Sequence, residues 1–230
     1  PQEIVSELES YFNNLKITNK LKAIVTAGPT NEYIDPVRFI TNKSSGKQGY
    51  EIAKSLFKNG FDTTLISGPT NLKINEDINL IKVETAEEMF QETLNNLPAD
   101  IAIFSAAVGD YKIREVSKIK LKKQDKVNLE LEKNVDILNF VSNHNSLRPK
   151  LVIGFAAETN DLENYAYKKL NEKNCDWIIA NDISNKKIGF NSDFNEVSIF
   201  YRNNKCDKIK YKPKSEISDE LVEKIINHLN

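Results

Sequence analysis

The sequence predicts an α/β fold: a mostly parallel sheet with helices on both faces, plus one β-hairpin or lid excursion. Three observations carry this. Short apolar runs alternate with helical patterns along nearly all of the 230 residues. Most of the runs are continuously apolar, as strands buried on both faces must be. The helical segments between them are long enough to serve as the crossover connections that parallel strands need. No low-complexity linker or second core interrupts the pattern. Residues 19–230 are therefore expected to form one domain, preceded by a linker helix over 1–18.

In chain order, an amphipathic helix within PQEIVSELESYF and a polar connector lead to a strand at Lys22–Ala27 (KAIVTA). A glycine turn and a long polar loop follow, and Ser44-Ser45-Gly46-Lys47 opens a helix over about 47–59. Strands are expected at Asp62–Ser67 and Ile78–Val83, a helix at 85–96, and a strand at Asp100–Ser105. Residues 114–133 alternate charged and apolar positions, which suits an extended or hairpin excursion rather than a helix. Beyond it come a helix at about 135–143, a strand at Leu151–Ala156, a helix at 161–172 and a strand at Asp176–Asn181. Residues 196–212 read as two strands around Asn203-Asn204-Lys205, and a terminal helix runs from about Ser215 to Leu229.

Composition narrows the function classes. Thirty-two basic residues nearly cancel 33 acidic ones, which argues against a protein held to nucleic acid or membrane by bulk charge. No apolar run approaches the roughly 18 residues of a membrane span, and no signal-like segment opens the chain. Cys175 and Cys206 make no disulfide framework, which fits a reducing cytoplasm. His144 and His228 stand far apart, so a histidine-based metal site is not expected. The chain opens on Pro1 rather than methionine, as expected of an excised fragment.

Ligands of such sheets bind outside the carboxyl ends of the strands, near a topological switch point. With only eight glycines in the chain, the three within Gly28–Gly49 are informative. Strand, glycine turn, polar loop and then Ser44-Ser45-Gly46 before a helix is the layout of an anion cradle, where free N–H groups and hydroxyls favour phosphate. The alternative is a serine-capped helix. It is neither a Walker A loop nor GxGxxG. Gly28-Pro29-Thr30-Asn31 and Gly68-Pro69-Thr70-Asn71 echo each other at two strand exits. Either they share turn chemistry, or the first brings backbone at Gly28 close to a ligand.

The fourth strand exits through Ser105-Ala106-Ala107-Val108-Gly109-Asp110, small residues that let a ring or phosphate approach the backbone. Asp110 would there accept hydrogen bonds from an amino group; otherwise it is a solvated loop acid. Lys118, Lys120, Lys122 and Lys123 form either a solvated edge that blocks sheet pairing or a mobile lid bringing ammonium groups to a polyphosphate. Lys169 and Lys173, four apart, share a helix face.

Taken together, DPVRFITNKSSGKQG, AAVGDYK, KLKK, KNVDIL, GFAAET and ANDIS, in this order, resemble phosphopantothenoylcysteine synthetase, the carboxy-terminal half of the bacterial bifunctional coenzyme A biosynthesis flavoprotein. The resemblance covers about residues 20–230. It implies a Rossmann-like fold, a cytoplasmic homodimer, Mg2+, and fusion in the full-length protein to a flavin-dependent phosphopantothenoylcysteine decarboxylase. It implies a ligase that activates 4′-phosphopantothenate with CTP as an acyl-cytidylate and then lets the L-cysteine amine displace CMP.

By the same resemblance, Asn42 contacts the acyl intermediate, Arg38 and Ala107 serve the second half-reaction, and Lys120 serves formation of the acyl-cytidylate. Ser105, Ala106, Asp110, Val135, Asp136, Ile137, Leu138, Phe155, Lys169 and Lys173 match nucleotide-contacting positions. No metal ligand is assigned. Three departures stand out: Val135 where the family pattern has proline, Gly109 where it has alanine, and Pro29 where some members have glycine. The competing expectations are an idle nucleotide-binding module used for dimerisation or regulation, and a nicotinamide dehydrogenase, which the missing GxGxxG disfavours.

Overall fold

The structure is a computed structural model describing residues 20–123, 127–158, 160–182 and 192–229. The expected linker helix over 1–18 lies outside them. Six parallel strands form the centre: β1 (Lys22–Ala27), β4 (Asp62–Ser67), β5 (Asn79–Lys82), β6 (Ile101–Phe104), β9 (Leu151–Glu158) and β10 (Trp177–Asp182). Their spatial order is β5-β4-β1-β6-β9-β10, and β11 (Phe194–Tyr201) and β12 (Cys206–Pro213) extend it antiparallel beyond β10. The six parallel strands thus follow the doubly wound 3-2-1-4-5-6 order, whose direction reverses between β1 and β6. The chain belongs to the predicted α/β class, and the predicted strands agree with these to within two residues at either end.

Burial explains why these segments are strands. In β1 every residue after Lys22 is buried, and all four residues of β6 are. Alternate residues point to opposite faces, so Val25, Ile103 and Ile153 pack under α1 (Lys47–Lys58) and α5 (Lys214–Leu229). Ile24, Ala102 and Val152 pack on the other face with α2 (Ala86–Asn95), α3 (Ile137–Ser142) and α4 (Leu162–Lys173). Each fully buried Ile, Leu or Val contributes about 1.5–3 kcal/mol relative to exposure. Gln48 and Ser55 on α1 donate to Ser218 and Asp219 on α5, at 2.9 and 2.7 Å, locking the two helices together.

The long polar loop expected after β1 is instead a hairpin, β2 (Asn31–Tyr33) with β3 (Phe39–Thr41). Its strands hold three residues each and β3 is exposed throughout, so it lacks the buried apolar run that marks a strand in sequence. The 114–133 excursion is pinned by a second small hairpin, β7 (Tyr111–Ile113) with β8 (Leu131–Lys133). Residues 118–123 lie in no strand, so the expected one-face alignment of Lys118, Lys120 and Lys122 is not formed as strand geometry. These two hairpins form an arm that exposes Val37, Phe39, Ile40, Val116, Ile119 and Leu129.

The Gly-Pro-Thr-Asn echo has a packing basis. Gly68 N–H donates to Ala27 carbonyl at 2.9 Å, and a Cβ on Gly68 would come within 1.7 Å of the Pro29 carbonyl oxygen. The two turns press on each other, and only glycine fits at Gly68.

Candidate active site

At the switch point, residues 105–109 continue the pairing of β6 with β1 beyond the strands. Ser105 N–H and hydroxyl donate to Thr26 carbonyl, Ala107 N–H to Gly28 carbonyl at 2.9 Å, and Gly109 N–H to the Thr30 hydroxyl at 2.9 Å. Asn134 fastens the far end: its N–H donates to Asp110 carbonyl and its amide nitrogen to Gly109 carbonyl at 2.8 Å. The Asn42 amide donates to Val108 carbonyl at 3.0 Å, bringing the NKSSG turn against the same segment. A polar-rimmed cleft of about 940 Å³ results.

The serine-capped alternative for α1 is not what forms. Its N-cap is Gly46, in the left-handed region at φ 73°, with no side-chain cap, while Ser44 hydroxyl accepts from Gly46 N–H at 3.3 Å. The first turn of a helix leaves N–H groups without intrahelical partners, and its end of the macrodipole favours anions. Ser44, Ser45 and Gly46 line the cleft, so the layout suits phosphate. Gly49 lets α1 come this close: a Cβ there would lie 2.5 Å from Ser105 Oγ and 2.6 Å from Ala27 Cβ.

The cleft walls gather most of the expected residues: Asn42, Ser105, Ala106, Ala107, Asp110, the 135–138 segment, Phe155, Lys169 and Lys173. Asp136 caps α3 through Asn139 N–H at 2.9 Å while its other oxygen pairs with Lys173 Nζ at 2.5 Å. Val135 stands between Asn134 and Asp136, both tied by hydrogen bonds. Lys169 Nζ donates to Phe155 carbonyl at 2.9 Å. Burial pushes the Lys169 ammonium below the usual lysine range, against the pull of Glu158 and Asp136.

Three expected residues stand apart from the walls. Gly28 is not among the lining residues; its carbonyl accepts from Ala107 N–H and so holds the 105–109 segment. Arg38 lies in the turn of the β2–β3 hairpin and donates to Leu121 carbonyl at 3.1 Å. Lys120 is exposed on the neighbouring segment of the arm. Arg38 and the Lys120 segment are therefore together, but outside the main cleft.

Sequence reasoning missed Asn134, although KNVDIL was in view, and it missed Lys214. The latter begins α5, lines the cleft and is buried. Burial, then the nearby Lys47 charge, pull its ammonium down to about 8, with Asp193 opposing. Nothing in KPKSE marks it, because only the antiparallel extension brings residue 214 to α1.

The two thiols are quiet. Cys175 is buried and pushed up to about 11 by that burial, and Cys206 is also raised, first by burial. Among the described residues no helix is long and apolar enough to cross a membrane.

The sequence profile of the DNA/pantothenate metabolism flavoprotein C-terminal domain matches residues 18–229. The coenzyme A biosynthesis bifunctional protein CoaBC of Haemophilus influenzae is 42% identical over 228 residues, 98% of this chain and 56% of that protein. Its Bacillus subtilis counterpart is 39% identical over 231 residues, again 98% and 56%. The chain thus spans little more than half the length of these relatives. Among solved structures, the C-terminal domain of a coenzyme A biosynthesis bifunctional protein CoaBC superposes with TM-score 0.77 at 36% identity, covering 91% of this chain and 95% of that one.

Proposed function

Since the chain belongs to the DNA/pantothenate metabolism flavoprotein C-terminal domain family, we propose that it joins 4′-phosphopantothenate to L-cysteine with CTP, as the synthetase part of a bifunctional coenzyme A biosynthesis protein. The observation that carries the proposal is one cleft in which a glycine-opened helix N-terminus without a side-chain cap meets Asn42, Asp110, Phe155 and two helix lysines. Those groups suit a polyphosphate, a base and an acyl group side by side.

In the first half-reaction the substrate carboxylate oxygen attacks the α-phosphorus of CTP and pyrophosphate leaves. The Ser44–Gly46 turn, Lys214 and the Lys120 arm answer the negative charge on the phosphates. In the second, the cysteine amine attacks the acyl carbon, and CMP departs carrying the electron pair of the broken acyl–oxygen bond. One Asn42 amide N–H donates to Val108 carbonyl and fixes the side chain, and its second N–H suits the acyl oxygen as that atom gains charge. The residues offer no cage for Mg2+: among those described, no three His, Cys, Asp or Glu converge. Mg2+ ordinarily keeps several waters and leans on substrate phosphates, so it fits here as the counter-ion of the triphosphate.

A homodimer through the arm is part of the proposal. Exposed apolar residues on both hairpins, such as Val37, Ile119 and Leu129, support it. The test is pyrophosphate release from CTP with and without 4′-phosphopantothenate. Asn42→Asp should still release pyrophosphate and accumulate acyl-cytidylate while losing most amide formation; amide formation at the parental rate would overturn the role of Asn42.

A further inference from the structure

Asp35 is fully buried in the turn between β2 and β3, and its two carboxylate oxygens do different work. Oδ1 accepts from Val37 and Arg38 N–H at 2.8 and 2.9 Å, closing its own Asp-Pro turn. Oδ2 is surplus to that turn. It accepts from Leu121 N–H at 3.1 Å, 86 positions away, and faces Arg38 Nη1 at 3.6 Å. Arg38 Nη2 in turn donates to Leu121 carbonyl. Both backbone groups of Leu121 are gripped from one turn, and the gripped N–H belongs to the peptide bond that Lys120 shares. Ser117 N–H donating to Ile34 carbonyl at 3.1 Å is a second tether four residues earlier.

We infer that Asp35 is a positioning residue for Lys120, a latch joining the β2–β3 turn to the lysine segment through Leu121. The inference rests on the ligase reading for its kinetic consequence, though not for the latch itself. The lysine segment has no strand pairing of its own at residues 118–123. Its Ser117 hydroxyl only closes a local turn on Ile119 carbonyl, at 2.7 Å. The grip at Leu121 therefore sets where the exposed Lys120 ammonium can reach. Preorganisation of this kind matters because a misplacement of about 1 Å can cost about a hundredfold in rate. Arg38, matched by resemblance to the second half-reaction, sits in the same latch, so one turn touches the groups assigned to both steps.

Asp35→Asn removes one of the two duties, and the turn, with two N–H groups against the single one of Leu121, keeps the amide oxygen. An amide has one acceptor atom, so in either orientation it presents a donor to an N–H it should receive. The latch is read without nucleotide: hydrogen exchange at Leu121 N–H, and tryptic cleavage after Lys120, Lys122 and Lys123, should both accelerate in Asp35→Asn. It is then read kinetically, as pyrophosphate release by Asp35→Asn, Lys120→Gln and the double variant. The kcat of Asp35→Asn should fall about ten- to a hundredfold with KM for CTP nearly unchanged. The double variant should be no slower than Lys120→Gln alone, because the two changes remove one function. Should Asp35→Asn fail to fold, Leu121→Pro deletes the N–H from the other side; it is read by tryptic cleavage after Lys122 and Lys123 and by the same kinetics, since proline has no N–H to exchange and a Lys-Pro bond resists trypsin. Unchanged exchange and cleavage, or losses that simply multiply in the double variant, would reduce Asp35 to a turn cap. If Lys120→Gln releases pyrophosphate normally, the ligase role of the lysine fails, while exchange and cleavage still decide the latch.

Discussion

Residues 105–109 and residues 117–121 both carry groups toward the proposed reaction, but they are held in opposite ways. The first segment is zipped along Thr26, Gly28 and Thr30 at the ends of buried parallel strands. The second hangs from the turn of a small hairpin by Ile34 carbonyl, the Asp35 carboxylate and the Arg38 guanidinium. Backbone fixed by a buried sheet is shaped before any ligand arrives, which suits recognition. A segment held by a few contacts opens at lower free energy, which suits groups that must reach, act and withdraw. For the proposed reaction, this contrast divides recognition, built on the sheet, from charge delivery, built on the arm.

The largest effect expected is on the arm. Lys120→Gln should slow pyrophosphate release by about 2–4 kcal/mol, the range for losing a preorganised charge stabiliser, while nucleotide affinity, measured by calorimetry, changes little. A large loss of affinity instead would erase the division between the two regions. Next is base choice on the sheet side. Phe155, residues 135–138 and the small residues at 105–107 wall the cleft, so CTP should exceed ATP at least about a hundredfold in kcat/KM, because unmade hydrogen bonds in a closed site are costly. Equal use of both nucleotides would remove the recognition role from Asp110 and Phe155.

A smaller effect tests the rigidity of the sheet side. Gly49→Ala pushes a methyl against Ser105 and Ala27, and overpacking of this kind costs about 1–3 kcal/mol. Denaturant unfolding should show that loss together with weaker nucleotide binding; an unchanged midpoint would mean α1 can slide away freely. The smallest concerns pH. The Lys214 ammonium is depressed to about 8, so it carries full charge only below that value. Pyrophosphate affinity, measured by calorimetry, should therefore decline as pH rises through about 8, by less than about tenfold. Lys214→Met should lose that limb. The stability sign is opposite: a charge that burial disfavours destabilises the fold most below about 8 and ceases to do so above the ordinary lysine range.

The same contrast explains what was legible in the sequence. Strands such as KAIVTA and DIAIFS announce themselves because burial on both faces demands unbroken apolar runs, and every expected helix over the described residues formed. The cleft residues on strand exits were legible too, since small residues and Asp110 follow those runs directly. The β2–β3 hairpin of the arm was not. The strands of that hairpin hold three residues each and β3 is exposed throughout, so hydrophobic periodicity has little to register there. Asp35 and Leu121 illustrate the limit: a contact 86 positions apart, between one carboxylate and one backbone N–H, leaves no local pattern. Lys214 was hidden for a related reason, because its neighbours come from α1 and from the start of β11.

The raised thiols have a consequence for chemical cross-talk. A protein whose proposed substrate is cysteine works among free thiols, and thiolate is the species that exchanges with disulfides. Cys175 is held protonated in the core, beyond reach of any mixed disulfide, and Cys206, though accessible, is biased toward the less reactive thiol. Burial thus withdraws one thiol from such exchange and the local environment only biases the other against it, so in the proposed reaction the reacting sulfur compound is the one the substrate brings.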